Sequence, residues 1–220
     1  MTKVAIETRT LNLYEPKDDF KSNVDIITVR AFLAMAGIEA KQRKHFKELS
    51  ETPEGKHFIL GEFGAILERK STLRKHATLV AGVTPILRFI YSTENVDYEW
   101  YPQNPLERAK LDQFLAWHEV HKDDRGFFSQ ADLVLFDKYF IGETNLFLAG
   151  FEEMTIADLV AFFAIVPTNK AWLQEPQQKE ALPRLTKWLQ NLLDNEDLVA
   201  YLNEVKSETG SVRPRLLAKL

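Results

Sequence analysis

Apolar and polar positions alternate near the start of the chain: Val4 and Ile6, then Leu11 and Leu13, stand two apart between Lys3 and Tyr14. That period predicts a strand, whole or in two short pieces. The turn-forming stretch Glu15-Pro-Lys-Asp-Asp-Phe-Lys-Ser-Asn23 interrupts it. From Asp25 to Ala36 the spacing of Ile26, Val29, Leu33 and Ala36 becomes helical, and Gly37 stands where a C-terminal cap falls. Residues 41–60 are polar and read as irregular, Phe63–Leu67 and Thr78–Val83 as short strands, and Lys70–His76 as a basic hairpin-like connection. Thr84–Tyr91 predicts a helix with Pro85 in its first turn, where a missing N–H costs nothing. The first ~90 residues thus read as a βαββα unit.

From Asn95 onward the pattern is helical. Asn104-Pro105 forms an N-cap and first-turn proline, with Leu106, Ala109, Phe114, Leu115 and His118 along one stripe of the helix they begin. Ser129 caps a second helix carrying Leu133, Phe136, Tyr139 and Phe140, ended by Gly142. Thr155 at N-cap and Asp158 at N3 form a variant capping box, with Met154 and Leu159 placed as a hydrophobic staple. The helix they open, Ile156–Val166, is apolar nearly all round and is expected to be buried. Pro183–Leu193 and Asp197–Lys206 supply two more, and Ser207–Leu220 reads as a polar tail.

Composition narrows the chemistry. The 220 residues contain no Cys, which excludes a disulfide scaffold, a thiolate zinc site and a cysteine nucleophile. A net charge of −4 argues against general nucleic-acid binding. The charge is divided: residues 1–90 hold 15 Lys+Arg against 11 Asp+Glu, and residues 91–220 hold 13 against 21. This asymmetry suggests two units. No signal-peptide pattern or bilayer-length apolar run is present, so an intracellular, cytoplasmic chain without membrane insertion is expected.

Two segments carry a resemblance. Phe147-Leu-Ala-Gly-Phe-Glu-Glu-Met-Thr-Ile-Ala-Asp-Leu-Val-Ala161, followed by Leu182-Pro-Arg-Leu-Thr-Lys-Trp-Leu189, is similar to the C-terminal signature of the glutathione S-transferase superfamily. Ile86-Leu-Arg-Phe-Ile-Tyr91 and Trp100-Tyr-Pro-Gln-Asn-Pro through Trp117-His118 resemble the theta class. The resemblance spans residues 11–205 and implies an α/β plus all-α architecture: a thioredoxin-like N-terminal domain over 1–91, a linker at 92–98, an all-helical domain over 99–207 and a tail at 208–220.

The resemblance also implies where a glutathione site would lie. A theta-class serine at the start of the first helix hydrogen-bonds the thiol; Ser22 is the nearest counterpart here, with Asn23 the alternative, and either residue type also caps a helix. Relatives place a cis-proline before the third strand, where this chain has Gly64, and a cis bond there would cost ~2.5–4 kcal/mol. The Glu-Ser pair that grips the γ-glutamyl group corresponds to Ala81-Gly82 or Gly82-Val83, neither of which offers a charge or a side-chain hydrogen bond. Losing such a contact costs ~1.5–3 kcal/mol.

His118 and His121, with Asp123 and Asp124, have partial metal-ligand spacing, but no third ligand is fixed, and no metal is expected. Lys41–Lys47 and Arg69–Lys75 are basic runs that read as solvated loops or as a surface for an acidic partner. The expectation is a glutathione-transferase-like protein that has lost conjugation and serves as an interaction or structural subunit. It would have no cofactor, and a protein partner or a second copy of itself. The alternative is a divergent theta-like transferase in which Ser22 activates glutathione and an electrophile pocket lies along Trp117.

Overall fold

The computed structural model describes residues 9–15, 24–38, 42–45, 49, 65–71, 77–94, 96, 100–124, 126–142 and 146–208. β1 (Arg9–Glu15), β2 (Gln42–His45), β3 (Ile66–Ser71) and β4 (Thr78–Ala81) form one mixed sheet in the order β2-β1-β3-β4. β1 runs parallel to β2 and antiparallel to β3, and β3 is antiparallel to β4. Parallel neighbours need a long crossover, and α1 (Val24–Met35) lies within it. Gly37, at φ 66°, ends α1 as its position predicts, and the Ile38 N–H reaches back to the Leu33 carbonyl at 2.8 Å.

The polar stretch 41–60 therefore contains a strand that its pattern hides, so that among the described residues three strands, not two, follow α1 before the helix that opens at Val83. Among the described strands Gln42-Arg-Lys-His45 pairs with β1 alone, at the sheet edge, where charged residues discourage further strand pairing, so no apolar alternation marks it. β3 also extends to Ser71, beyond its expected end at Leu67.

Side chains alternate across the sheet. Leu11, Leu13 and Leu67 join the main core with α1 and α2 (Val83–Thr93), while Tyr14 and Ile66 pack with Leu49 in a second cluster. Asn12 stands opposite Glu68 across β1 and β3. Its amide donates to Glu68 Oε2 at 2.6 Å, and the Tyr14 hydroxyl donates at 3.1 Å. A carboxylate only 2% exposed is thereby satisfied.

The helical part comprises α3 (Pro105–His121), α4 (Gln130–Tyr139), α5 (Ile156–Leu173), α6 (Pro176–Ala181), α7 (Pro183–Leu193) and α8 (Glu196–Glu208). The short α6 has no counterpart in the sequence reading, and Ser207 belongs to α8 rather than to a tail. Asn104 Oδ1 accepts the Leu106 N–H at 2.9 Å, and Ser129 and Asp132 cap α4 reciprocally. Leu111, Phe114, Leu115 and His118 form the buried stripe of α3. Leu106 and Ala109, expected there, are exposed because the first turn projects beyond the core. Tyr139 is likewise exposed, and α4 ends at Phe140 rather than Gly142.

α5 continues past Val166 through Pro167 to Leu173. Proline has no N–H to continue the ladder, and its ring crowds the preceding turn. The neighbouring segment docks on this stretch: the Phe128 N–H donates to the Ala164 carbonyl at 3.1 Å, and the Asn169 side chain donates to the Phe128 carbonyl at 3.0 Å. α5 packs against α1, α3 and α7, so the main core is continuous from Leu11 to Leu202. No helix among the described residues is long and apolar enough to cross a membrane.

Thr155 and Asp158 occupy the start of α5. Asp158 Oδ2 accepts the Thr155 N–H at 2.9 Å and its hydroxyl at 2.8 Å. Its other oxygen accepts the Leu148 N–H and the Trp188 indole N–H, both at 2.8 Å. The carboxylate thus joins the cap to the turn before α5 and to α7, well beyond a local box. In that turn Ala149 holds φ 56°, a left-handed conformation that costs about 1–2 kcal/mol without glycine.

Asp158→Ala should cost ~3 kcal/mol or more, since it leaves buried donors unpaired, each worth about 1–3 kcal/mol; an unchanged denaturation midpoint would remove this role. Because α1 packs on both α5 and α8, brief proteolysis should not release an independently folded 99–220 piece. Recovery of such a fragment with native cooperativity would show that the two units are separable.

Candidate functional site

A cleft of about 440 Å³ opens where α1, the β4–α2 turn and α3 meet. Each wall has a local reason. Gly82, at φ 86°, makes the turn from β4 into α2, and its N–H donates to the Ala65 carbonyl at 3.0 Å. A residue with a β-carbon would be strained in that conformation. Thr84, Pro85 and Arg88 follow on α2; Asp112, Leu115, Ala116 and Glu119 line the α3 side, with Lys122 just beyond it.

The remaining wall is Asp25, in the first turn of α1, where a carboxylate is favoured by the helix dipole. Lys122 Nζ lies 3.6 Å from Asp25 and 2.8 Å from Glu119, so it bridges the start of α1 to the end of α3. Burial raises the Asp25 carboxyl above its usual range, with Lys122 pulling it back. Burial alone would also raise Glu119, but His118 and Lys122 outweigh it and hold that carboxyl at about 2. Of these two, Lys122 is the closer partner, since the His118 ring stands 3.7 Å from Glu119.

On the opposite side, Arg88 pairs with Asp112, which also accepts the Tyr101 hydroxyl at 2.9 Å. Arg88 and Arg108 both sit over the Tyr101 ring, at 5.5 and 5.1 Å from its centroid. Burial, followed by the hydrogen bond to Asp112, raises the Tyr101 phenol.

The turn after α3 fixes the cleft at its α1 end. The Asp123 carboxylate accepts the Phe127 N–H at 2.8 Å, and the Gly126 N–H donates to the Asp123 carbonyl at 2.9 Å. Gly126 has φ 89°, and a β-carbon there would lie 2.8 Å from Val24 Cβ, so only glycine allows the turn to rest on α1.

Of the residues expected at the γ-glutamyl position, Ala81 and Gly82 line this cleft, and Val83 lies buried in the first turn of α2. Ser22, Asn23 and Gly64 lie outside the described residues. Thr155 and Asp158 belong to the core near Trp188, apart from the cleft. Trp117, expected along an electrophile pocket, instead stacks on His121 with ring centroids 4.4 Å apart and packs on Phe128 and Phe140. The residues with partial metal-ligand spacing are engaged separately. His118 is buried among aromatic rings, His121 meets Asp132 at 2.8 Å, and Asp123 holds its turn. Sequence reasoning missed Asp25, Arg88, Asp112, Glu119 and Lys122. Only the Glu119–Lys122 pair had a local signal, its i,i+3 spacing.

No protein-family model and no curated protein matches the chain. Solved structures do match its fold. Human glutathione-S-transferase T1-1, apo form, aligns at 20% identity over 89% of this chain and 88% of its own, with a TM-score of 0.61. Maleylacetoacetate isomerase from Anaeromyxobacter dehalogenans with bound GSH aligns at 14% identity, 89% and 95% coverage, and a TM-score of 0.63. Human glutathione transferase theta-2 in complex with glutathione and an unknown ligand gives 17%, 89% and 86%, and 0.61. The architecture is the glutathione-transferase fold, a thioredoxin-like sheet unit joined to a helical one, with theta-class proteins among its structural neighbours.

If Lys122 holds Glu119 ionised, side-chain NMR should show Glu119 titrating near pH 2 in the wild type and moving toward its ordinary 4.5 in Lys122→Met. The folded-state value is depressed, so this contribution to stability is present above 4.5 and lost as pH falls toward 2. A Glu119 titration indifferent to Lys122→Met would remove the bridge from the site.

Proposed function

We propose that this glutathione-transferase-fold chain does not conjugate glutathione and acts through binding, as an interaction or structural subunit. The observation that carries the reading is the cleft's arrangement around α1. The turn offers Ala81 and Gly82 where a γ-glutamyl group would need charged and hydroxyl side chains, and the Asp25 carboxylate occupies the first turn of α1. A thiolate held near that turn would face a like charge, which disfavours ionisation of a thiol. Lys122 offsets this only in part, because it also serves Glu119 at 2.8 Å.

An outward row on α3 supports a protein-contacting role, whether with a partner or with a second copy of the chain. Leu106, Ala109, Gln113 and Val120 are all exposed and recur at helical spacing along one face. Leu106 is 68% exposed and Val120 80%.

Calorimetry should find glutathione binding no tighter than about millimolar, ~4 kcal/mol. Conjugation of an aryl or alkyl halide should stay near the uncatalysed rate. Micromolar binding together with activity abolished by Ser22→Ala would overturn the reading and restore a transferase.

A further inference from the structure

β4 (Thr78–Ala81) forms one edge of the sheet, and its pairing with β3 fixes which of its backbone groups point outward. The Gly82 N–H donates to the Ala65 carbonyl at 3.0 Å, so Gly82 and Ala65 are a hydrogen-bonded pair of the antiparallel ladder. Such pairs alternate along the register, which makes Leu67↔Val80 and Arg69↔Thr78 the next two. Thr78 and Val80 therefore direct their N–H and C=O groups at β3. Leu79 and Ala81 direct theirs away from the sheet, and among the described residues nothing pairs with them. All four residues of β4 are only half-buried.

The two edges of the sheet are guarded differently. β2, at the far edge, carries Arg43 and Lys44, and charges of that kind discourage strand addition. β4 carries no charge and no proline, and its register with β3 runs without a bulge. Val80 packs at the main core and Leu79 and Ala81 at the second cluster, so both faces of this edge offer apolar surface. The charge around it is positive. The connection from β3 into β4 contains Arg74 and Lys75 and no carboxylate, and Lys70 in β3 remains 51% exposed while its Nζ meets Glu68. Arg69 is matched by Glu94 at 3.5 Å. Residues 1–90 hold 15 Lys+Arg against 11 Asp+Glu. A second copy would bring two net-positive units edge to edge, whereas an acidic segment is drawn to the same place.

We propose that the β4 edge binds an extended segment of a protein partner as a fifth strand, with apolar residues beside Leu79 and Ala81 and a carboxylate at the Thr78 end, towards the connection that carries Arg74 and Lys75. The proposal rests on the reading of the chain as an interaction subunit and names the chemistry of what it contacts. Main-chain hydrogen bonds to Leu79 and Ala81 give the binding, and the carboxylate gives the choice of partner.

The test is NMR titration of the full chain with a blocked pentapeptide, Asp-Val-Thr-Val-Asp, with its counterparts ending in asparagine or lysine, with a form methylated at every peptide N–H, and with glutathione in parallel. The aspartate peptide is expected to shift the Leu79 and Ala81 amides and slow their hydrogen exchange. It should bind about tenfold tighter than its methylated form and rank above the asparagine peptide, with the lysine peptide weakest. Leu79→Pro removes an outward N–H and no bond to β3, so it should keep the melting midpoint near the wild type's and weaken the aspartate peptide about tenfold. Should that variant fail to fold, Thr78→Glu, which keeps every backbone bond, carries the comparison by reversing the order of the aspartate and lysine peptides. A methylated or lysine peptide that binds as tightly as the aspartate one overturns the proposal. Protection of Leu79 and Ala81 that rises with protein concentration in the absence of peptide gives the edge to a second copy and overturns the acidic partner. Absence of peptide binding, with glutathione no tighter than about millimolar, overturns the edge site and leaves the non-conjugating reading standing. Micromolar glutathione binding without peptide binding overturns both.

Discussion

The Asp158 carboxylate lies out of reach of solvent and accepts four hydrogen bonds, from the Thr155 backbone and hydroxyl, the Leu148 N–H and the Trp188 indole. Removing such a charge from water costs several kcal/mol, and charge-assisted hydrogen bonds of good geometry are what offset it. The donors come from three stretches that share the main core: a turn before α5, the cap of α5 and the middle of α7. Once they are joined, α5 has a fixed start, and α1 and α3 take their places against it. The walls of the cleft are set by those two helices, so its shape depends on a residue that never touches it.

The cleft shows how one architecture can keep its form while its chemistry changes. A turn built on Gly82 at positive φ positions α2 whatever side chains flank it. The charges around the cavity are largely matched within the protein, Arg88 to Asp112 and Lys122 to Glu119. A site so arranged is electrostatically occupied before any ligand arrives, which favours binders that add to its pairs over those that must break them.

What could be read from the sequence follows from the range of each interaction. Asn104, Ser129 and the Thr155–Asp158 cap act within one helical turn, and Gly37 acts on the helix it ends, so spacing alone reveals them. β2 is hidden because an edge strand of polar residues has no alternation to display. Leu106 was misplaced because a helical period gives the stripe but not how far the core extends along it. The cleft was invisible for a stronger reason: Asp25, Arg88 and Lys122 are far apart in the chain and meet only after α1, α2 and α3 have packed. The Trp188 indole, similarly, gives no sign in sequence that it will find Asp158.

Pro167 deserves its last word from mechanics rather than stability. Beside it, the Phe128 N–H donates to the Ala164 carbonyl, and the Asn169 side chain donates to the Phe128 carbonyl in return. Two residues earlier, Gly126 rests against Val24 at the head of α1. α5 is therefore connected by a short run of backbone to the mouth of the cleft. The place of the helical core and the place of α1 at the opening are thus set together, through three consecutive residues of one turn.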